Sequence, residues 1–275
     1  MNMNNTLIRI GTAAFAAAAA VSALAAETNE LESSENKLPI SAEVSVDFMS
    51  CYMWRGQICA DAPVWQPSAT LGLDLGDFGS LSANVWSSFK LTSRRDGSPV
   101  RGMGNQEIDY TVSYAKSLGD FDLEIGHIWY SFPIVDGGTD NEEVYLSVAY
   151  NNDIVTPFAA VYWDYRAPDD DGLFYGNAGL SHEFELCEGL TLTPSVTLGL
   201  GTDAYLRSYL DDVNKTAFLD QTSGVALAYA LTDWLSVGAQ VNYTWIVDRD
   251  ARMSNYMGQN RNQRVWGGIN VTASF

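Results

Sequence analysis

The sequence predicts an all-β protein: a transmembrane antiparallel up-and-down β-barrel of twelve strands, with both termini on the periplasmic side. Three observations predict this fold. The chain begins with a segment of export-signal type, apolar and polar residues alternate along most of the remainder, and the connections are alternately short and long. A mean hydropathy of -0.08 is too polar for a bundle of membrane-spanning helices.

The N-terminal segment, residues 1–25, has the regions of a cleaved signal peptide: a positively charged start, an apolar run over residues 10–21 and a small-x-small cleavage site. We therefore expect export through the Sec pathway. A flexible periplasmic lead-in is predicted over residues 26–40 and the outer-membrane barrel over residues 41–275. An uncleaved anchor helix is the alternative, but the apolar run is short and an acidic segment follows it directly.

Alternation with a period of two is clearest over residues 235–247, where odd positions are apolar and even positions are small or polar. The same pattern occurs over residues 81–92 and 190–200. Successive side chains of a strand point to opposite faces, so each of these strands has one apolar and one polar face. A soluble β-sandwich also alternates, so this pattern alone does not place the sheet in lipid.

The connections and the aromatic residues favour the membrane. Short connections are predicted at residues 76–80, 118–120, 151–154, 187–189 and 231–233, and long ones at 55–65, 93–105, 133–141, 166–172, 203–217 and 248–263. Short periplasmic turns with long external loops are the outer-membrane arrangement. Aromatic residues beside the long loops predict an interfacial girdle made of Tyr52, Trp54, Trp129, Tyr130, Trp163, Tyr165, Tyr243 and Trp245.

Two further features resemble known outer-membrane proteins. The chain ends at Phe275 on an apolar strand face, which resembles the C-terminal signal that the barrel assembly machinery recognises. The run YMWRGQ from Tyr52 to Gln57, followed by QPS from Gln66, resembles the start of the TorF-like porin family, also labelled Gcw_chp. The resemblance extends in rhythm to residue 275 and implies a barrel of porin type.

The charge of the chain is strongly acidic, with 34 Asp+Glu, 15 Lys+Arg and a net charge of -19, which excludes nucleic acid as a partner. Strand parity places many of the acids on the inward face. They are Glu43, Asp47, Asp74, Glu107, Asp109, Asp122, Glu124, Glu143, Asp164 and Glu183, with Lys90 as the main base. Carboxylates in a narrow channel attract cations, so a cation-preferring lumen is predicted. The alternative is that these charges only satisfy one another and water.

Arg55 has the same inward parity and precedes Gly56, where the first strand breaks. We expect it to fold back against an inward or loop acid such as Asp61 and to lie near the constriction. An exposed loop arginine is the alternative. Large side chains that share the inward parity would narrow the bore: Met49, Trp86, Tyr145, Tyr162 and Tyr175.

Cys51 and Cys59 suggest a disulfide that closes the first loop, because export brings the chain into an oxidising compartment. Cys187 would then be left over. No cofactor motif or metal-ligand spacing is present, and the acidic run over residues 169–171 is interpreted as a solvated loop. His127 and His182 are predicted to face outward without an evident partner, so no enzyme activity is predicted.

The leading functional interpretation is a porin-like passive channel, surrounded by outer-membrane lipid, that passes small hydrophilic solutes or cations. The alternative is a closed structural or adhesive barrel whose external loops bind surface partners. A membrane enzyme acting at the lipid-facing rim ranks third. The lumen distinguishes the first two, because a continuous water path favours transport, whereas filling by Trp86 and the inward tyrosines favours the closed barrel.

Overall fold

The computed structural model describes residues 39–92, 104–133, 140–166, 172–210 and 213–275, and the side chains of residues 104–106 are outside this description. The predicted signal peptide, most of the lead-in and the acidic run 169–171 lie outside the described residues. The strands are β1 (Ile40–Met49), β2 (Tyr52–Trp54), β3 (Gln57–Ala60), β4 (Val64–Asp74), β5 (Ser80–Lys90), β6 (Gly104–Leu118), β7 (Phe121–Ser131), β8 (Asn141–Tyr150), β9 (Thr156–Asp164), β10 (Leu173–Ser181), β11 (Phe184–Cys187), β12 (Leu190–Gly201), β13 (Ala217–Ala230), β14 (Leu235–Ile246) and β15 (Gln263–Ser274).

Twelve of these strands form one closed antiparallel barrel, as predicted. Around the barrel the order is β1, β4, β5, β6, β7, β8, β9, β10, β12, β13, β14 and β15. Pairing of β10 with β12 and of β1 with β15 closes the wall without a free edge. β11 pairs only with β12, and β2 and β3 form a hairpin separate from the wall.

The two ends of the barrel differ in their connections. The predicted short turns lie together at one end, including a 3-10 helix at Gly76–Phe78. Gly119 and Gly189 adopt positive φ angles of 63° and 74° in two of these turns, where a glycine is favoured. The chain end is also here, because Phe275 and Ala42 exchange backbone hydrogen bonds of 2.8 and 3.0 Å. The long connections lie at the opposite end.

Two short helices, α1 (Asp203–Tyr209) and α2 (Arg249–Met253), lie within long connections. Thr202 caps α1 by accepting a hydrogen bond from the backbone of Tyr205. Asp248 caps α2 by accepting from the amides of Asp250 and Ala251 at 2.9 and 3.0 Å. Nowhere in the described ranges is a helix long and apolar enough to span a membrane.

The outer surface of the barrel is apolar, since large side chains such as Leu71, Val112 and Ile269 are about 60% exposed (61%, 60% and 59%). Such a surface requires a lipid environment. The predicted girdle is correct for the outward rings, among them Trp129, Trp163, Tyr165 and Tyr243. It is wrong for three residues, Tyr52, Trp54 and Tyr130: Tyr130 has the opposite parity to Trp129, and the other two lie on β2, where the chain has left the wall.

Candidate functional site

The lumen has two dissimilar halves. The half nearer the long connections, here called the long-loop half, contains a cluster of buried aromatic and aliphatic side chains. These side chains come partly from the wall and partly from α1, the segment after α2 and the β2–β3 hairpin, which we call the lumen hairpin. Members that illustrate the mixture are Met53, Tyr130, Tyr145, Tyr162, Tyr175, Tyr205, Leu206, Ile246, Tyr256 and Met257.

The lumen hairpin crosses the bore. It arises between β1 and β4, and its tip reaches the wall formed by β8, β9 and β10. β9 is six strands from β1 in either direction around the barrel, so the tip meets the opposite wall. At the base of the hairpin, Tyr52 packs against Trp86 with ring centroids 5.4 Å apart, and Met49 belongs to the same buried cluster.

The tip is a two-residue turn, in which Arg55 has φ 45° and Gly56 has φ 80°. Positive φ at both central residues is typical of a type I′ hairpin turn. A Cβ atom at Gly56 would lie 2.7 Å from Cβ of Asp220 and 2.9 Å from Cδ1 of Ile246. The turn is therefore pressed against β13 and β14, and only a glycine fits there.

Arg55 forms a bidentate ion pair with Glu143 of β8. Nη1 and Nη2 donate to Oε1 and Oε2 at 2.7 and 2.6 Å, and the two side chains are only 8% and 5% exposed. Tyr130 donates a further hydrogen bond of 2.9 Å to Oε2 of Glu143. Such a charge-assisted fork fixes both distance and orientation, so the hairpin tip is anchored to the far wall at one defined point.

Three aromatic rings surround the Arg55 guanidinium. Its Cζ atom lies 4.5 Å from the ring centroid of Trp54, 4.4 Å from that of Tyr162 and 4.5 Å from that of Tyr175. Each distance is within the range of a cation–π interaction. Arg55 is thus held by one carboxylate and an aromatic cage rather than by solvent.

Other long connections interlock with the hairpin. The amide of Ile58 donates to the carbonyl of Met257 at 2.9 Å. The hydroxyl of Tyr256 donates to the carbonyl of Arg55 at 3.2 Å and accepts from Nε2 of Gln57 at 3.2 Å. The connection after β14 therefore also supports the hairpin.

Arg55 meets an inward acid, as predicted, but this acid is Glu143 and not the suggested Asp61. The Asp61 carboxylate binds Arg264 Nη2 at 2.6 Å and Arg261 Nη2 at 3.3 Å. The reason is the path of the chain: Asp61 follows β3 at the base of the hairpin, next to β15, whereas Arg55 is at the tip across the lumen. Asp61 and Arg55 are only six residues apart, and this short separation does not show that they lie on opposite sides of the lumen.

The suggested disulfide between Cys51 and Cys59 is also wrong, because both residues are free thiols in this structure, as is Cys187. The register explains the result. Tyr52 pairs with Ala60, and the pairing then shifts so that Met53 faces Ile58. Cys59 occupies this bulge and is not opposite Cys51.

The half nearer the short turns, the short-turn half, is lined by small polar groups. The Ser82 and Ser113 hydroxyl oxygens are 2.8 Å apart, and Nδ2 of Asn84 donates to Ser68 and Thr70 at 2.8 Å each. These groups hydrogen-bond from one strand to the next around the wall. Small polar linings of this kind leave room for water in a twelve-stranded barrel.

The predicted inward charges lie in both halves of the lumen. The long-loop half holds Glu107, Asp109, Glu143, Asp164 and Lys90; Asp109 is half-buried and the other four are buried. The other predicted acids, Glu43, Asp47, Asp74, Asp122, Glu124 and Glu183, lie deeper or at the short-turn rim. Asp122 accepts from Asn151 at 2.6 Å, and Glu43 accepts from Ser274 at 3.2 Å. Asp74 is at the rim itself, where it accepts from the amide of Gly76 at 2.7 Å.

Sequence reasoning missed Asp220, which is 5% exposed and accepts a hydrogen bond of 3.0 Å from Tyr175. It has the same parity as Thr222 and Gly224 on the polar face of β13, so the alternation of the sequence is sufficient to predict that Asp220 faces inward. Its position beside Gly56 makes it part of the surroundings of the hairpin tip.

His127 faces outward, as predicted, but it has partners. Its Nε2 is 2.9 Å from the hydroxyl of Tyr165 and 3.2 Å from Oε2 of Glu142, which also binds Arg166. His182 packs edge-on against Phe184. Across the part of the chain that the structure describes, no three His, Cys, Asp or Glu side chains are grouped to hold a metal ion.

These features define an outer-membrane β-barrel fold with a hairpin folded into its lumen. No protein-family model matches the sequence, and no curated protein matches it, so the TorF-like relationship stays a prediction. Among solved structures, the chain is similar to the COG4313 outer membrane channel from Pseudomonas putida F1. The TM-score is 0.53 and the identity 12%, over 90% of this chain and 100% of that chain. It is also similar to the KdgM porin, with a TM-score of 0.46 and 13% identity, over 86% and 99% of the two chains.

Proposed function

We propose that the protein is a passive channel of the bacterial outer membrane for small hydrophilic solutes, and that the lumen hairpin closes it. The observation that carries this proposal is the anchoring of the hairpin. Its tip is attached to the far wall through one residue, Arg55, which pairs with Glu143 and packs against Tyr162 and Tyr175, while the wall strands pair with one another without its help. The hairpin would therefore be able to leave without breaking a strand pair of the barrel.

The proposed selectivity is for cations. Inward acids exceed the inward bases Arg55, Lys90 and Arg264, and Arg55 is already neutralised by Glu143. A solute that passes the hairpin enters a polar half whose charges include Asp122 and Glu124. An excess of carboxylates in a confined channel raises the local concentration of cations and repels anions.

The proposal also covers the export of the chain, its assembly into the membrane and its contact with lipid. Export through the Sec pathway would remove the signal peptide and leave the lead-in in the periplasm. The strand that ends at Phe275 would be presented to the barrel assembly machinery, and the apolar outer face would contact outer-membrane lipid. The channel function proposed here requires no cofactor, metal or catalytic residue.

Planar-bilayer recording tests the channel. We compare the natural protein with a variant in which a short Gly-Ser linker replaces residues 52–60. The natural protein should give brief, small steps and the variant sustained, larger ones, because the linker no longer crosses the lumen. In a KCl gradient the reversal potential should shift toward that of K⁺. Absence of single-channel steps from the variant, shown to be folded by circular dichroism and heat-modifiable electrophoretic mobility, would sink the proposal.

A second candidate is a closed structural or adhesive barrel whose long loops bind surface partners. The filled long-loop half of the lumen favours it, because Tyr162, Tyr175 and Tyr256 are buried there together with the hairpin. For this candidate, the variant with the Gly-Ser linker in place of residues 52–60, which we call the hairpin-deletion variant, should fold but give no single-channel steps. Its long loops should still bind their surface partners. The same recording therefore separates the two candidates.

A further inference from the structure

The wall that faces the hairpin tip has the composition of a receptor for an organic cation. Three of its side chains, Glu143 of β8, Tyr162 of β9 and Tyr175 of β10, contact one guanidinium. We propose that these residues form a binding site for the guanidinium or alkylammonium group of a solute, and that Arg55 occupies this site in the closed channel as a built-in substitute for that solute. This inference rests on the proposed channel function and assigns its substrate class.

The geometry of the wall does not depend on the hairpin. Tyr130 donates to Glu143 at 2.9 Å, and Tyr175 donates to Asp220 at 3.0 Å, so wall residues orient both the carboxylate and one ring of the cage. Ring centroids of Tyr162 and Tyr175 are 6.3 Å apart, and Tyr145 packs against Tyr162 at 5.6 Å. Of the cage rings, only that of Trp54 belongs to the hairpin and would leave with it.

The wall also favours a positive group at this position electrostatically. Withdrawal of Arg55 leaves the Glu143 carboxylate facing the lumen without its cation, and Asp220 lies on β13 beside the hairpin tip. Two carboxylates in a confined lumen raise the local concentration of cations. A cationic solute that supplies this group competes with Arg55, and its binding favours the form in which the hairpin has moved.

The backbone gives independent support. Arg55 adopts φ 45°, a left-handed conformation that type I′ turns normally assign to asparagine or glycine. An arginine at this position is disfavoured by the turn itself. The side-chain contacts with Glu143 and the cage account for its presence, which is the pattern expected when a side chain acts as a ligand.

Isothermal titration calorimetry on the full chain in detergent tests the site, with methylguanidinium as the probe and methylurea as its neutral counterpart of similar shape. We compare the natural protein, Arg55→Gly and the double variant Arg55→Gly/Glu143→Gln. Glycine suits the backbone conformation of the turn, so the single variant should retain the fold. It should bind methylguanidinium at least about tenfold more tightly than the natural protein, in which Arg55 competes.

The double variant should lose this binding by about tenfold or more, because a charged carboxylate is the main partner of the guanidinium. Methylurea should bind none of the three proteins. Equal affinity of the natural protein and Arg55→Gly, or equal binding of methylurea and methylguanidinium, would overturn the inference. Arg55→Lys serves as a second variant, and it should exclude the probe less well than arginine because it lacks the planar fork.

The calorimetric result is independent of conductance. If the hairpin-deletion variant conducts but Arg55→Gly does not bind methylguanidinium, the cation receptor is wrong and the channel stands. If Arg55→Gly binds the probe but no variant conducts, the channel is wrong and the receptor stands. In bilayers, millimolar methylguanidinium should also increase the open probability of the natural protein, and methylurea should leave it unchanged.

Discussion

The two halves of the lumen are built in different ways. In the short-turn half, wall residues such as Ser82, Ser113 and Asn84 hydrogen-bond to neighbouring wall strands. In the long-loop half, wall residues such as Glu143 and Tyr175 contact segments that lie outside the wall. In the channel proposed here, the wall would determine the size and polarity of the passage, whereas the loops would determine whether it is open. Each of the following predictions changes one half and leaves the other intact.

The largest effect is expected for Glu143→Gln. The substitution leaves Arg55 as a buried charge without a carboxylate, and removal of one member of a buried pair typically costs about 3–5 kcal/mol. This cost applies only to the closed form, so the closed-to-open equilibrium should shift toward opening by at least about 100-fold. The open probability in planar bilayers measures the shift.

Glu142→Gln is the matched control for this experiment. Glu142 is the adjacent residue on β8 and has the same charge, but it binds His127 and Arg166 on the outer face. Its substitution should leave the open probability close to that of the natural protein. Equal opening by both variants would show that loss of a charge anywhere at this level opens the channel, and the Arg55 anchor would lose its special role.

The next effect concerns the accessibility of a buried thiol. Cys51 is 1% exposed at the start of the lumen hairpin, whereas Cys187 is exposed at the opposite end of the barrel. In a Cys59→Ser background, Cys187 should react rapidly with a maleimide and Cys51 slowly. The Cys51 rate should rise about tenfold or more on adding Glu143→Gln, because labelling follows the population of the open form.

Mass spectrometry of the labelled peptides gives both rates from one sample, with Cys187 as the internal reference. An unchanged Cys51 rate together with an increased open probability would mean that ions pass a hairpin that has stayed in place. Increased rates at both cysteines would indicate general loosening of the barrel. Neither result is compatible with selective release of the hairpin.

The sequence predicted the wall well because a barrel wall is a periodic structure. Alternation placed Glu143, Tyr162 and Tyr175 on the inward face, and each of them lies there. Asp220 obeys the same rule but is missing from the predicted inward acids, because it closely follows a long predicted loop. Parity is a local property of a strand, so one sequence is sufficient to read it.

The contacts of the hairpin could not be predicted in this way. Arg55 and Glu143 are separated by 88 residues, and their meeting depends on the path of a loop across the bore. The alternation of apolar and polar residues is the same in a hairpin that turns inward and in a strand that continues through the membrane interface, so it does not distinguish them. Alternation therefore wrongly predicts Tyr52 and Trp54 in the girdle, and it does not identify which acid Arg55 meets.

A smaller effect is expected in the short-turn half. Asp122→Asn combined with Glu124→Gln removes two inward carboxylates that lie nearer the short turns than the hairpin tip does. Glutamine keeps an acceptor for the hydrogen bond that the Tyr145 hydroxyl donates to Glu124, so the contact with the long-loop half is retained. In the hairpin-deletion background, cation-to-anion selectivity should fall by about a few-fold, since each charge contributes to the field of the channel without forming a gate. The reversal potential in a KCl gradient measures the change.

Asp120→Asn provides the control, because this acid is exposed in the adjacent turn. Its replacement should leave the reversal potential almost unchanged at moderate ionic strength, where exposed charges are screened. The double variant should also leave Cys51 labelling unchanged. A change in labelling would mean that the two halves are coupled, and the division between passage and barrier would no longer hold.

The smallest effect concerns the contact between two long connections. Asp248 caps α2 and binds Nζ of Lys215 at 2.8 Å. Burial raises the pKa of Asp248, but Lys215 and the amides at the start of α2 outweigh it and hold the pKa below its ordinary value of 3.8. A lowered pKa means that the contact stabilises the folded form above about pH 4 and loses this contribution as the pH falls through the lower folded value.

Hydrogen exchange at the Ala251 amide, corrected for intrinsic rates, measures this contribution. Asp248→Asn should weaken protection modestly near pH 7, because Lys215 is 40% exposed and screened by water. The difference from the natural protein should vanish at the acidic end, well below pH 3.8. Asp250→Asn removes the other carboxylate that binds Lys215, at 2.6 Å, but keeps the cap, so protection at Ala251 should persist. A pH-independent difference for Asp248→Asn would assign the contact to the shape of the cap, because charge would then contribute nothing.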